Sequence, residues 1–162
     1  MSMPITIRAV TSADFEWLKA SVREQWGAEM VVAHGTVYRP ADLPGFVAVR
    51  ENTIIGQITY CVEGTACEIV TLSSDVRGMG IGSALIAAVR DVAVQESCQR
   101  LWLITTNDNL NALRFYQKRG FQITAVHPNA VDKSREIKPE IPLIGDDGIP
   151  IRDEIELSIM LS

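Results

Sequence analysis

The spacing of apolar positions divides the chain into a strand, a helix, a run of strands and then strands interleaved with helices. Ile5 and Ile7 alternate with Thr6 and Arg8, which predicts a first strand over 5–8. Thr11, Ser12 and Asp14 then offer capping side chains for a helix with Phe15, Leu18 and Val22 on one face. From 26 to 44 the pattern is irregular: Gly27, His34, Gly35, Pro40 and Pro44 surround a short apolar patch, Met30-Val31-Val32, and a short helix and a loop are expected. Three strand-like runs follow at 46–49, 54–62 and 67–72, separated by Glu51-Asn52 and Glu63-Gly64, and predict an antiparallel meander. Leu85, Ala88, Val89 and Val92 fall at helical spacing, giving one apolar stripe on a helix that ends near Cys98. A buried strand is expected over 101–106, then a helix that Asn107, Asp108 or Asn109 can cap and that stops at Gly120. A strand over 121–126 follows. The stretch 128–152, with Pro139, Pro142, Gly145, Gly148 and Pro150, reads as a long loop of the functional or mobile kind. The last strand, over 153–161, puts Ile155, Leu157, Ile159 and Leu161 on one face.

Bulk properties change this picture little. With 162 residues, the chain fits one domain spanning 1–162, large enough to bury roughly 70% of its unfolded surface. Hydrophobic residues at 47% and charged residues at 22% are ordinary for a compact fold. A net charge of -5 disfavours nucleic-acid and anionic-membrane partners, which select a basic surface, and tolerates a cationic small molecule. No apolar run reaches the roughly 18 residues of a membrane-spanning helix. Cys61, Cys67 and Cys98 are odd in number, without C-x-x-C spacing or an apolar leader, so a reducing cytoplasmic location is expected, with buried thiols, no metal and no acyl-cysteine intermediate.

Candidate chemistry begins at Arg77-Gly78-Met79-Gly80-Ile81-Gly82, a glycine-rich loop between a strand and a helix. Such a loop points backbone N–H groups and a helix N-terminus at an anion, most simply a phosphate. A dinucleotide fingerprint would need a third glycine where Ser83 or Leu85 stands, and a Walker loop would need Gly-Lys-Ser/Thr; both spacings fail. The segment resembles instead the Arg/Gln-x-x-Gly-x-Gly/Ala loop of the GNAT acetyltransferase superfamily (Gcn5-related N-acetyltransferases), carried here by Arg77, Gly80 and Gly82. Downstream, Asn109-x-x-Ala112-x-x-x-Tyr116-x-x-x-Gly120-Phe121 is similar to the second half of the same family's cofactor site.

The resemblance implies a mixed α/β fold of the GNAT acyl-CoA N-acyltransferase type, about seven strands flanked by about four helices. It implies acetyl-CoA as cosubstrate, its acetyl group moved by direct transfer to an amine of a small molecule or a protein. The alternative is an acyl-CoA-binding sensor without turnover. A homodimer is a family expectation. Under the resemblance, the amides of Gly78, Met79, Gly80, Ile81 and Gly82 hold the pyrophosphate, with Arg77 at the loop entry and Ser83 opening the helix. The backbone of Leu72 pairs with the pantetheine arm, and Asn109 either bonds that arm or simply caps its helix. Tyr116 would give a proton to the departing thiolate. An amine of ordinary pKa, about 10.4, is protonated at neutral pH, so a base is needed, and Glu68 is the candidate carboxylate. His34 and Tyr38 are expected near the acceptor. Lys138, Glu140, Asp146, Asp147 and Arg152 crowd the late loop, where most are expected to be solvated charges and where substrate choice is expected to be set. Arg114, Lys118 and Arg119 form a basic group on the Tyr116 helix, facing either cofactor phosphate or solvent.

Overall fold

The computed structural model describes residues 4–76 and 78–161. Its strands are β1 (Thr6–Ala9), β2 (Val31–Ala33), β3 (Thr36–Tyr38), β4 (Gly45–Arg50), β5 (Thr53–Glu63), β6 (Ala66–Ser74), β7 (Arg100–Thr106), β8 (Gln122–His127) and β9 (Glu154–Met160). The α-helices are α1 (Phe15–Trp26), α2 (Ile81–Gln95), α3 (Leu110–Lys118) and α4 (Val131–Ile137). Seven strands form one mixed sheet in the order β1-β4-β5-β6-β7-β9-β8, and β2 and β3 make a separate hairpin. All sheet neighbours are antiparallel except β6 and β7, which run parallel and are joined by α2.

The main core lies between the sheet and α2. Ile81, Leu85, Ile86, Val89 and Ala93 of α2 are buried against Ala48, Ile58, Ile69, Leu101, Leu103 and Leu157. The helical stripe at Leu85, Ala88, Val89 and Val92 is therefore widened by Ile86 and Ala93, as a helix covering several strands requires. On the opposite face α1 buries Leu18 and Val22, while Phe15 stays 41% exposed. That face also holds a buried polar ladder: Thr71 Oγ1 donates to Gln57 Oε1 (2.9 Å), Thr59 and Thr71 share a hydroxyl hydrogen bond (2.6 Å), and Gln57 Nε2 donates to Ser73 Oγ (3.0 Å). Each polar side chain of this ladder is thus partnered inside the sheet.

Two expectations are corrected. The segment 26–44 carries the β2–β3 hairpin and a 3-10 turn (Pro40–Asp42), not a helix, because His34 and Gly35 adopt left-handed φ of 42° and 76° and reverse the chain between two three-residue strands. The stretch 128–152 contains α4, and the rest is pinned. The Arg135 guanidinium donates to the carbonyls of Pro142 (2.7 Å) and Ile151 (2.6 Å). Gly145 N–H donates to the Ile149 carbonyl (2.8 Å), closing a turn.

At the start of α1, Asp14 accepts two hydrogen bonds from Arg8 (2.8 and 2.9 Å) and one from the Thr11 backbone N–H (2.8 Å). The Arg8 hydrogen bonds, opposed by burial and aided by Thr11, hold the Asp14 carboxyl below its ordinary 3.8, at about 2. A depressed carboxyl adds stability above its unfolded pKa and loses it as pH falls through the folded value. Asp14→Asn is therefore expected to lower the thermal midpoint at neutral pH. It is also expected to flatten the loss of stability between about pH 4 and pH 2, as read by circular-dichroism melts across that range; an unchanged acid slope would contradict the assignment.

Candidate functional site

The site is created by incomplete strand pairing. The strands β6 and β7 pair only at Ala66↔Arg100, Cys67↔Leu101 and Glu68↔Trp102, yet β6 continues to Ser74 and β7 to Thr106. Beyond Glu68 the strands diverge, and a cavity of about 1380 Å³ opens between them. It is walled by the ends of both strands, the glycine loop, α3, the Val31–Ala33 strand and the late loop. On its β6 side, Asp75 N–H donates to the Ile55 carbonyl (2.8 Å). Antiparallel alternation then turns the backbone of residues 71 and 73 toward β5 and leaves the N–H and C=O of Leu72 and Ser74 facing the gap. The Leu72 side chain packs on the core. Unpaired backbone groups on a cavity wall are satisfied by water or by a ligand with its own donors and acceptors.

At one end of the gap stands the start of α2. Gly78 and Gly80 take left-handed φ of 79° and 70°, and Gly80, as N-cap, offers no side-chain hydrogen bond to the first helical amides. Gly82 is needed for a different reason: a Cβ there would lie 2.6 Å from Phe115 Cζ, where α2 and α3 cross. Gly78, Gly80, Ile81 and Gly82 line the cavity, while Met79 and Ser83 are outside its wall. The Met79 sulfur accepts from Arg50 (3.2 Å). Ser83 Oγ accepts from Arg119 Nε (2.7 Å), whose guanidinium lies 3.5 Å over the Phe115 ring. Ser83 thus orients Arg119, which lines the cavity with Arg114 and Lys118. Uncapped amides, a helix dipole and three cations make this the end of the cavity suited to an anion. Arg77 lies outside the described residues.

Asn109 and Tyr116 lie on the α3 side. Asn109 Oδ1 accepts from Ala112 N–H (3.1 Å) and caps the helix, while the residue also lines the cavity. Tyr116 is buried between the Phe115 and Phe121 rings, lines the cavity, and its hydroxyl makes no hydrogen bond to a described residue. Desolvation raises the phenol above its ordinary range, partly offset by Arg119, so the O–H stays protonated.

Glu68 sits at the apex of the divergence, buried to 5% exposure. It accepts from the Tyr38 hydroxyl (2.6 Å) and lies 3.0 Å from His34 Nε2. Tyr38 and His34 are also in contact (3.1 Å), and the imidazole, 30% exposed, packs on Trp102 at 5.4 Å between centroids. Burial and the neighbouring Glu68 raise the Tyr38 phenol above its ordinary range, so it remains a donor to the carboxylate. The hairpin therefore delivers both candidate acceptor-side residues onto the carboxylate, across 30 and 34 residues of sequence.

One functional candidate escaped the sequence reading. Glu154, first residue of β9, is buried to 4% exposure, lines the cavity, and accepts the His34 backbone N–H (3.1 Å) through Oε2. Strand alternation held the signal: with Ile155, Leu157 and Ile159 toward the core, Glu154 and Glu156 fall on the other face. Of the late-loop charges, Glu140, Asp146 and Asp147 are exposed, and Arg152 pairs with Asp153 (2.9 Å). Lys138 is a correction to the expected solvated charge. It is 4% exposed, and its ammonium donates to the carbonyls of Trp26 (2.6 Å) and Met30 (3.1 Å), tying the late loop to the C-terminus of α1. Burial of the Cys67 thiol, aided by the neighbouring Cys98, pushes it up to about 12, and burial raises Cys61 and Cys98 as well, which disfavours thiolate chemistry there.

Comparison with known proteins places this geometry. Residues 11–121 match the sequence pattern of the Acetyltransferase (GNAT) family. The chain is 52% identical over 137 residues to the uncharacterised protein YdhI of Bacillus subtilis (strain 168), covering 83% of this chain and 85% of that one. In fold it is similar to an IAA acetyltransferase from Bacillus cereus (TM-score 0.71, 21% identity, 98% and 100% of the two chains). It is also similar in fold to a GNAT family acetyltransferase from Elizabethkingia anophelis solved with acetyl-CoA bound (TM-score 0.68, 24% identity, 97% and 98% of the two chains).

Because Lys138 joins two cavity walls through carbonyls alone, Lys138→Met is expected to raise amide hydrogen exchange in both 26–30 and 138–151 while leaving α2 protected. Exchange unchanged in both segments would show that the bonds hold nothing together.

Proposed function

Since the chain belongs to the GNAT acetyltransferase family, we propose that it is an acetyl-CoA-dependent N-acetyltransferase that passes the acetyl group directly to an amine. The observation that carries this reading is the cavity between β6 and β7, which has an anion-binding helix start at one end and a buried carboxylate at the other. The residues present fit the cosubstrate. The amides of Gly78, Met79, Gly80, Ile81 and Gly82, with Arg77 at the loop entry, would hold its pyrophosphate, and Arg119, oriented by Ser83, adds charge beside them. The Leu72 backbone and the Asn109 side-chain amide face the path of its arm. When bound, acetyl-CoA supplies an acyl group activated as a thioester.

The chain's own groups then divide the work. Glu68, held by Tyr38 and His34, takes the proton from the incoming ammonium, directly or through a water, and so delivers a nucleophilic amine. The Leu72 N–H is a donor for a carbonyl oxygen gaining charge. Tyr116 presents an O–H with no acceptor among the described residues to the sulfur that departs. Holding both reactants in one cleft makes the attack effectively unimolecular.

Tyr116→Phe removes only that hydroxyl, and Glu68→Gln only the basic oxygen. Each is expected to lower kcat by about a hundredfold or more, measured as coenzyme A thiol release, with the affinity for acetyl-CoA nearly unchanged. Wild-type turnover in both variants would remove the proposed acid and base. Acetyl-CoA binding without thiol release on any amine would favour a sensor over an enzyme.

A further inference from the structure

The cavity is electrically polarised, and its acceptor end has unmatched negative charge. Arg114 and Lys118 lie on α3 and Arg119 caps its C-terminus, beside the helix start that would hold the pyrophosphate. At the opposite end two buried carboxylates, Glu68 and Glu154, share one face of the sheet and are bridged by a single residue, His34, which contacts Glu154 with its backbone N–H and Glu68 with its ring. Glu156, the next carboxylate on that face, is matched by Arg100 at 3.7 Å. Glu154 has no cationic partner among the described residues, and its Oε1 takes no hydrogen bond from any of them. Lys138, which also lines the cavity, is committed to two carbonyls.

A buried carboxylate without a counter-ion is costly, and such sites are stabilised by a cation that arrives from outside. Glu68 and Glu154 meet His34 at different atoms, its ring and its backbone N–H, so each carboxylate is a separate acceptor for a cation. We propose that the acceptor is a small amine carrying at least two positive charges. Glu154 binds the ammonium that does not react, and Glu68 receives the one that does. Glu154 is then a specificity-determining residue that touches the acceptor. This inference rests on the amine-acetylation reading and adds to it the substrate class. Hydrophobic monoamines and zwitterionic amino acids, which leave Glu154 unmatched or bring a second carboxylate beside it, are poor acceptors on this account.

The test is thiol release from acetyl-CoA with putrescine, cadaverine and spermidine against n-butylamine and glycine, for the wild type and for Glu154→Gln. Gln keeps an oxygen for the His34 N–H and removes the charge, so the hairpin anchor survives. The expected result is a wild-type preference for the diamines and spermidine in kcat/KM. In the variant, KM for those amines should rise about ten- to a hundredfold with kcat little changed, while KM for n-butylamine stays put. A merely structural role would shift both classes together. If the variant does not fold, the wild-type preference alone decides. Equal use of n-butylamine, an equal KM change for both classes, or no acetylation of any diamine would overturn the proposal. Acetyl-CoA affinity measured alongside separates the two levels: intact binding with failed diamine selectivity removes only this inference, whereas absent binding removes the acetyltransferase reading beneath it.

Discussion

Everything in this molecule follows from the point at which β6 and β7 stop pairing. Three residue pairs hold the parallel strands together, and then each strand continues with one edge bare. A bare edge inside a fold must be satisfied by water or by a ligand, and the divergence also spaces the glycine loop, Tyr116 and Glu68 around one cleft. Parallel strands need a crossover, and here the crossover is α2, whose N-terminus is thereby carried to the mouth of the gap. One geometric event thus supplies a backbone edge, a helix dipole and a place for a buried acid.

The two ends of the cleft are specialised by different kinds of structure. The end at the start of α2 is built from local sequence: glycines at alternate positions, a helix start and cations on and just after α3. The end at Glu68 is built from long-range contacts. The hairpin of β2 and β3, the late loop and the start of β9 converge there, fixed by His34 to Glu154, Tyr38 to Glu68 and Lys138 to the carbonyls at the end of α1. Local construction suits a ligand that the GNAT family shares, and segments stitched together from afar can vary without disturbing the sheet.

The same division explains what could be read in the chain. The meander, α2 and the core-facing residues of β9 were legible because burial on one face imposes a period of two or of helical spacing. The loop from Arg77 to Gly82 and the motif from Asn109 to Phe121 were legible because their residue types are fixed at short range. The hairpin over Val31–Ala33 and Thr36–Tyr38 was not, since three-residue strands are too short to show alternation, and α4 was hidden among prolines and glycines. Glu68 could be named from its strand, but nothing in the sequence tied it to His34 and Tyr38. Lys138 looked like a solvated charge because a helix C-terminus that satisfies it lies 112 residues away.

The central claim is that the glycine loop and the gap beside it hold acetyl-CoA. Calorimetric titration with acetyl-CoA, with NADH and ATP as controls, tests it on the wild type and on Gly80→Asp, which places a carboxylate where the pyrophosphate would sit. Saturable binding of acetyl-CoA alone, lost in the variant, is the predicted result. Absence of binding to the wild type, or binding that Gly80→Asp leaves untouched, would contradict the account.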